Sequence, residues 1–182
     1  MLSQEAWDNL YKKGETTWRE PADINELIDK SGVRNGATLD LGCGTGEWAI
    51  GLDNIGFKVE GLDYSQEALS VAMSQKSSVS WAKWDLEELN KYEFKNEKYD
   101  LILDHKVLAF ISNKNEYLDE IKKRLSGKFV ITVFHEHEKT GICISKAEFD
   151  RLVLSRFTPY HTDIYNPRPG KVFATYYLSG QK

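Results

Sequence analysis

The chain has 182 residues, 41% of them hydrophobic and 12% aromatic, which is enough to fill the core of one domain and too apolar for a disordered tail. Its 24 basic and 28 acidic residues leave a net charge of −4, which argues against non-specific capture of a nucleic-acid backbone. No apolar run approaches membrane-spanning length, since residues 107–111 and 129–134 are short and the second contains Thr132, so no membrane partner is expected.

Gln4, Glu5, Asp8 and Asn9 stand where a signal peptide needs an apolar stretch, and a cytoplasmic chain is expected. Residues 5–12 and 21–30 carry helical patterning, the second with Pro21 at its first turn and Gly32 beyond its end. Both helices are expected to cover the ligand-binding edge of a sheet. Short apolar or β-branched runs at 37–41, 58–62, 79–84, 99–104 and 127–134 read as buried strands. Between them, Ser65 can cap a helix bearing Ala68, Leu69, Ala72 and Met73, and Asp85 can cap one over residues 86–89. Tyr117, Leu118, Ile121 and Leu125 make a further apolar stripe, and Ser145 with Glu148 has capping-box spacing ahead of Phe149, Leu152 and Val153. This alternation predicts an α/β fold, a doubly wound parallel sheet with helices on both faces. Residues 157–165 and 171–178 flank Asn166-Pro167-Arg168-Pro169-Gly170, which is too short for a crossover helix. They are expected to pair antiparallel and complete a seven-stranded mixed sheet.

The most informative stretch is Leu39-Asp40-Leu41-Gly42-Cys43-Gly44-Thr45-Gly46, where a strand gives way to a helix. Its glycines let the backbone turn sharply and let a ligand lie against bare main chain, at the carboxyl ends of the strands where open α/β sheets bind ligands. The next strand ends in Asp63, 17 residues after Gly46, where a carboxylate can accept both hydroxyls of a ribose. A dinucleotide fingerprint G-x-G-x-x-G needs glycine where Glu47 stands, so a nicotinamide-dependent oxidoreductase fits poorly. Asp40 would be an odd neighbour for a pyrophosphate but suits the ammonium end of an amino-acid ligand.

With Asp40, Gly42, Gly44 and Gly46 matching D-x-G-x-G-x-G, the chain resembles the class I S-adenosylmethionine-dependent methyltransferases over nearly its whole length. The resemblance implies a Rossmann-like sheet of order 3-2-1-4-5-7-6 and S-adenosyl-L-methionine as cofactor. It also implies that Asp63, with Tyr64 beside it, binds the ribose, that Asp85 and Leu86 meet the adenine, and that Asp104 and His105 lie near the methionine moiety. Trp7-x-x-x-Tyr11-x-x-Gly14-x-Thr16-x-Trp18 looks like the N-terminal segment of thiopurine and tellurite-resistance methyltransferases, which implies that Tyr11 and Trp18 close over the cofactor. One methyltransferase domain over 1–182 follows, with covering helices in 1–32, a cofactor-binding half in 37–134 and a substrate-side half with the terminal hairpin in 135–182.

Other chemistry-bearing residues are weaker signals. His135-Glu136-His137 follows the fifth strand and reads first as a solvated loop facing the crevice; a general-base or substrate-contact role for His135 ranks ahead of metal binding, because two ligands do not hold zinc. Cys43 and Cys143 lack metal-type spacing and read as reduced. Lys122-Lys123-Arg124 fits the favourable end of a helix dipole. Asp104-His105-Lys106-Val107 is not the Asn/Asp-Pro-Pro-aromatic motif of enzymes that methylate exocyclic amino groups of bases or glutamine. The expectation is methyl transfer to a small molecule by in-line displacement. A protein acceptor, or a cofactor-binding module without turnover, remains open, and no catalytic residue stands out. Because Asp63 ends a strand, its carboxylate is expected to lie outside the core, so that Asp63→Ala would spare the fold.

Overall fold

The computed structural model describes residues 3–14, 23–136, 143–168 and 171–180. Helices α1 (Gln4–Lys12) and α2 (Ile24–Ser31) precede β1 (Ala37–Leu41), α3 (Glu47–Asn54), β2 (Lys58–Asp63), α4 (Gln66–Ser74) and β3 (Ser80–Lys83). A 3-10 segment, Leu86–Lys91, leads to β4 (Tyr99–His105), and a second, Leu108–Phe110, to α5 (Lys114–Arg124) and β5 (Leu125–Glu136). The chain ends with α6 (Lys146–Phe149), a π-helical turn over Asp150–Leu154, β6 (Phe157–Arg168) and β7 (Lys171–Gly180).

The seven strands form one sheet in the order β3-β2-β1-β4-β5-β7-β6. The first five run parallel to one another, and β7 runs antiparallel to both β5 and β6. Both the order and the antiparallel pair agree with expectation. Because side chains alternate along a strand, β1 sends Leu39 and Leu41 to one face and Thr38 and Asp40 to the other. The first face packs Leu62, Ile102, Phe129 and Ile131 against Tyr117, Leu118 and Ile121 of α5 and against Phe149, Leu152 and Val153. The opposite face packs Val59, Leu101 and Val130 against Leu27 and Ile28 of α2 and Ala49 and Leu52 of α3.

Caps behave as the sequence suggested: the Ser65 hydroxyl accepts from the Ala68 N–H at 3.2 Å, Ser145 from the Glu148 N–H at 3.1 Å, and Asp85 from the Glu87 N–H at 3.0 Å. The helix expected after Asp85 is the short 3-10 segment. Met73 falls off its expected stripe and is 50% exposed, since α4 flanks the sheet edge and buries only Ala68, Leu69 and Ala72. Leu125 belongs to β5 rather than to the stripe of α5, because the chain passes from helix to strand without a break and Leu125 pairs with Tyr99. An irregularity in the β4–β5 register between Tyr99 and Leu101 accommodates Gly127, whose place next to the Asp100 carbonyl leaves no room for a Cβ.

The expectation that both N-terminal helices cover the ligand edge holds only for α1. Helix α2 lies on the sheet face instead, where Leu27 and Ile28 complete a core cluster, Ile24 packs over Gly51, and Lys30 pairs with Asp163 of β6 at 2.8 Å.

Candidate functional site

Strands β1, β2 and β4 end side by side, with Leu41 opposite Leu62 on one flank and opposite Asp104 on the other. Their carboxyl ends open into a cleft floored by the β1–α3 loop. The loop is anchored from below: the Gly42 and Cys43 N–H groups both donate to the Leu62 carbonyl, at 2.8 and 3.0 Å, and the Gly46 N–H donates to the Cys43 carbonyl at 3.0 Å. Gly42 needs to be glycine twice over, because its φ is +69° and a Cβ there would stand 2.3 Å from the Val107 side chain. Gly46 does not line the cleft; it starts α3 in a left-handed conformation and approaches Trp81, which makes it a packing residue.

Asp63 does more than the sequence suggested. It is 7% exposed, and its two carboxylate oxygens accept from the Gly44 N–H and the Ser65 N–H, both at 2.8 Å. The carboxylate therefore ties the glycine loop to the start of α4 while still lining the cleft, and it is not outside the core. Burial raises its pKa, and the backbone donors work against that rise.

Asp40 also lines the cleft and is 1% exposed. The Ala49 N–H binds its carboxyl, yet Oδ2 has no hydrogen-bond partner among the described residues. Burial pushes its pKa up to about 7, with the charges of Asp63 and Glu47 adding. An uncompensated buried carboxylate is costly and favours a cation or donor arriving from the cleft. Asp85, Leu86 and Tyr64 line the same cleft.

Asp104 is different. It is 1% exposed and does not line the cleft; Oδ1 accepts from the Val107 and Leu108 N–H groups at 2.9 and 3.3 Å, and Oδ2 from the Tyr117 hydroxyl at 3.0 Å. Burial raises its pKa to about 6. It shapes the turn after β4 from beneath, and its neighbours His105, Lys106 and Val107 reach the cleft in its place. His105 faces Trp48 at a ring separation of 5.8 Å, and burial, with the Lys106 charge adding, depresses its pKa to about 3.

Over the cleft lies α1, which contributes Trp7 and Tyr11. The Tyr11 hydroxyl comes within 3.0 Å of where a Cβ on Gly44 would be, and Trp7 meets Phe110 edge to face at 5.1 Å. The helix is pinned by Asp8, which accepts from the Ser65 hydroxyl at 2.5 Å and the Glu67 N–H at 3.3 Å, and by Lys12 paired with Glu67 at 3.2 Å. In the sequence Asp8 served only as a polar residue where a signal peptide would be apolar; its place one turn before Lys12 on a helix was the only signal of this role. Trp18 and Thr16 lie outside the described residues, as does His137.

His135 is not a cleft residue. Its Nδ1 and Nε2 are engaged by the Ile144 carbonyl at 2.8 Å and the Tyr176 hydroxyl at 2.9 Å, and its ring packs edge-on to Phe149. Alternation along β5 turns it into the core, so it serves neither as base nor as substrate contact. No group of three or more metal-ligating side chains occurs among the described residues. No described helix is long and apolar enough to cross a membrane.

Comparison with known proteins agrees with this geometry. A methyltransferase-domain family matches residues 33–167. The ubiquinone biosynthesis O-methyltransferase of Rickettsia bellii (strain OSU 85-389) is 27% identical over 122 residues, 62% of this chain and 49% of that protein. The chain thus spans about half the length of that relative. Among solved structures, the 1,6-didemethyltoxoflavin-N1-methyltransferase of Burkholderia thailandensis, crystallised with bound 1,6-didemethyltoxoflavin and S-adenosylhomocysteine, superposes with a TM-score of 0.78 at 19% identity, covering 98% of this chain and 87% of that one. TehB from Haemophilus influenzae superposes with a TM-score of 0.71 at 20% identity, covering 96% and 66%. With its sheet order, its glycine loop and a family match over most of its length, the chain belongs to the class I S-adenosylmethionine-dependent methyltransferases.

Proposed function

We propose that the chain transfers a methyl group from S-adenosylmethionine to a small-molecule acceptor by in-line displacement. The observation that carries this reading is Asp40, a buried carboxylate whose Oδ2 lacks a partner among the described residues and which lines a cleft floored by bare glycine backbone. That site fits a cationic amino-acid ligand with an attached nucleoside. In this reading Asp40 takes the ammonium of the methionine moiety, Asp63 and Tyr64 the ribose, and Asp85 and Leu86 the adenine. Gly44 lets the ligand approach the main chain, and Tyr11 covers it. When bound, S-adenosylmethionine supplies a methyl group already activated by the sulfonium charge.

Little covalent help is then asked of the protein, whose work is alignment and exclusion of water. Trp7, Phe110, Ile111 and Val107 form apolar walls, and α1 closes the top of the cleft. His105, neutral at physiological pH, can accept a hydrogen bond from an incoming acceptor but is too weak a base to hold a full proton.

A small acceptor is supported by the compact cleft and by the small substrates in the names of the ubiquinone and toxoflavin relatives. The proposed division keeps α1 as cover, with residues 37–134 as the cofactor half and 135–182 as the acceptor side. S-adenosylhomocysteine release, measured across thiols, amines, hydroxylated aromatics, oxyanions and peptides, tests the reading. Turnover of a small molecule is expected. Turnover of peptides alone would move the acceptor to proteins, and tight cofactor binding with no turnover of any class would leave a binding module.

A further inference from the structure

We infer that Glu87 is a positioning residue that ties the nucleoside end of the cleft to the apolar wall formed by residues 107–113, so that cofactor binding sets the wall for the acceptor; this rests on the S-adenosylmethionine reading of the same cleft. Glu87 lines the cleft two residues after Asp85. Its carboxylate reaches across to the segment that follows β4, where Oε1 accepts from the Ser112 N–H at 2.6 Å and Oε2 from the Asn113 N–H at 3.3 Å. Val107, Phe110 and Ile111 of that segment are cleft residues. The wall is therefore gripped at both ends, by Asp104 on the Val107 and Leu108 N–H groups and by Glu87 on those of Ser112 and Asn113. Between the grips the chain makes its own short turn, in which the Phe110 N–H donates to the Val107 carbonyl at 2.8 Å.

The two grips differ in kind. Asp104 belongs to β4, is 1% exposed and is held in turn by the Tyr117 hydroxyl, so its end of the wall is fixed to the sheet. Glu87 comes from the 3-10 segment after β3, and its bonds to Ser112 and Asn113 are exposed to solvent, which lets that end open while the buried end stays in place. Helix α5 does not need this grip for its own start, because the Asn113 side chain already caps it by accepting from the Glu116 N–H at 3.4 Å. What the grip adds is a link. The Asp85 carboxyl accepts from the Glu87 N–H at 3.0 Å, so the residue assigned to the adenine holds the main chain of the residue that holds the wall. Beyond the wall, Phe110 meets Trp7 of α1 edge to face at 5.1 Å. A nucleoside seated against Asp85 and Leu86 thus fixes the base of a continuous series of contacts that ends at the apolar wall and the covering helix.

Hydrogen exchange read by mass spectrometry tests this in the full chain, in Glu87→Ala and in Glu87→Gln, each with and without saturating S-adenosylhomocysteine. In the parent, the ligand is expected to slow exchange over residues 107–113 by about fivefold or more. In Glu87→Ala that ratio should fall below about twofold, while residues 42–46 and 63–65 stay protected by the ligand as in the parent. Glu87→Gln, whose amide oxygen can still accept one N–H, should fall between the two. Calorimetry on the same proteins should show S-adenosylhomocysteine bound about three- to tenfold more weakly by Glu87→Ala, the reciprocal of the lost coupling. A parent wall indifferent to the ligand would overturn the inference. So would faster exchange in Glu87→Ala with and without ligand alike, the ratio being kept, because Glu87 would then be a structural cap and nothing more. Should Glu87→Ala fail to fold, the same ratio in Glu87→Gln decides: a reduced value supports the inference and the parent value overturns it. Calorimetry that detects no S-adenosylhomocysteine binding by the parent would refute the cofactor reading itself, a result distinct from a bound ligand that leaves the wall unchanged.

Discussion

At the residue scale, the two buried aspartates that line the cleft, Asp40 and Asp63, differ in ways that single substitutions separate. Asp40 has its pKa raised to about 7, so a bound cation must draw a proton off it below that pH. Cofactor affinity is expected to rise between pH 5.5 and 7.5, by at most about tenfold per pH unit for one linked proton. In Asp40→Asn the affinity should be lower and the slope gone, which calorimetry at several pH values will show. Asp63 holds the Gly44 and Ser65 N–H groups, so Asp63→Ala should cost both affinity and stability. Two lost bonds to a buried charge amount to about 2–4 kcal/mol, visible as a lower urea midpoint. A variant with unchanged stability would show that the loop holds itself. The sequence placed Asp40, Asp63 and Asp85 at the cleft because strand ends and glycine spacing are local signals. It misplaced Asp104 and His135, whose roles depend on what stands opposite: Val107 and Tyr117 for one, Ile144 and Tyr176 for the other.

At the scale of elements, α1 stands apart from the sheet because it buries none of its own side chains fully and is held by polar contacts from Asp8 and Lys12 to the start of α4. Asp8→Ala is therefore expected to leave thermal stability within about 1 kcal/mol while speeding cofactor release several-fold, as stopped-flow fluorescence of Trp7 would report. Unchanged release would mean that α1 is not the cover. Conversely, the turn after β4 and the glycine loop are locked together where Gly42 meets Val107. Gly42→Ala should cost at least about 1–2 kcal/mol from the left-handed backbone alone and weaken cofactor binding further by pushing the turn outward. The strands were readable because buried parallel strands are short continuous apolar runs. The helix ends were less so: nothing in the residues around Leu125 says that a helix passes straight into a strand, and the 3-10 segment after Asp85 has too few residues for periodicity to declare itself.

At the scale of the whole molecule, buried titratable groups act on stability in opposite directions. Asp40 and Asp104, raised to about 7 and about 6, hold protons in the folded state that the unfolded chain has lost, so their contribution is present below about pH 4 and disappears as pH rises through their folded values. His105 and His135, both lowered, contribute in the reverse sense, losing stability as pH falls below about 6.5. The two sets offset one another, and the parent chain should show a shallow profile from pH 4 to 7. Asp40→Asn removes one side of the balance, so its urea midpoint relative to the parent should rise with pH across that window; a constant difference would mean that Asp40 titrates normally. Fold class, strand order and cofactor were all accessible from the chain, because the glycine loop and the alternation of elements occur together. The packing of Gly42 against Val107 was not, since it arises from the loops after two different strands meeting in space.

The most direct measurement is a calorimetric titration of the purified chain with S-adenosylhomocysteine, run beside NAD and paired with thermal unfolding. The glycine loop, Asp40 and Asp63 predict one S-adenosylhomocysteine bound per chain and a stability gain of about 2.7 kcal/mol at 100 times the dissociation constant, with no response to NAD. Binding and stabilisation by NAD with silence toward S-adenosylhomocysteine would refute it.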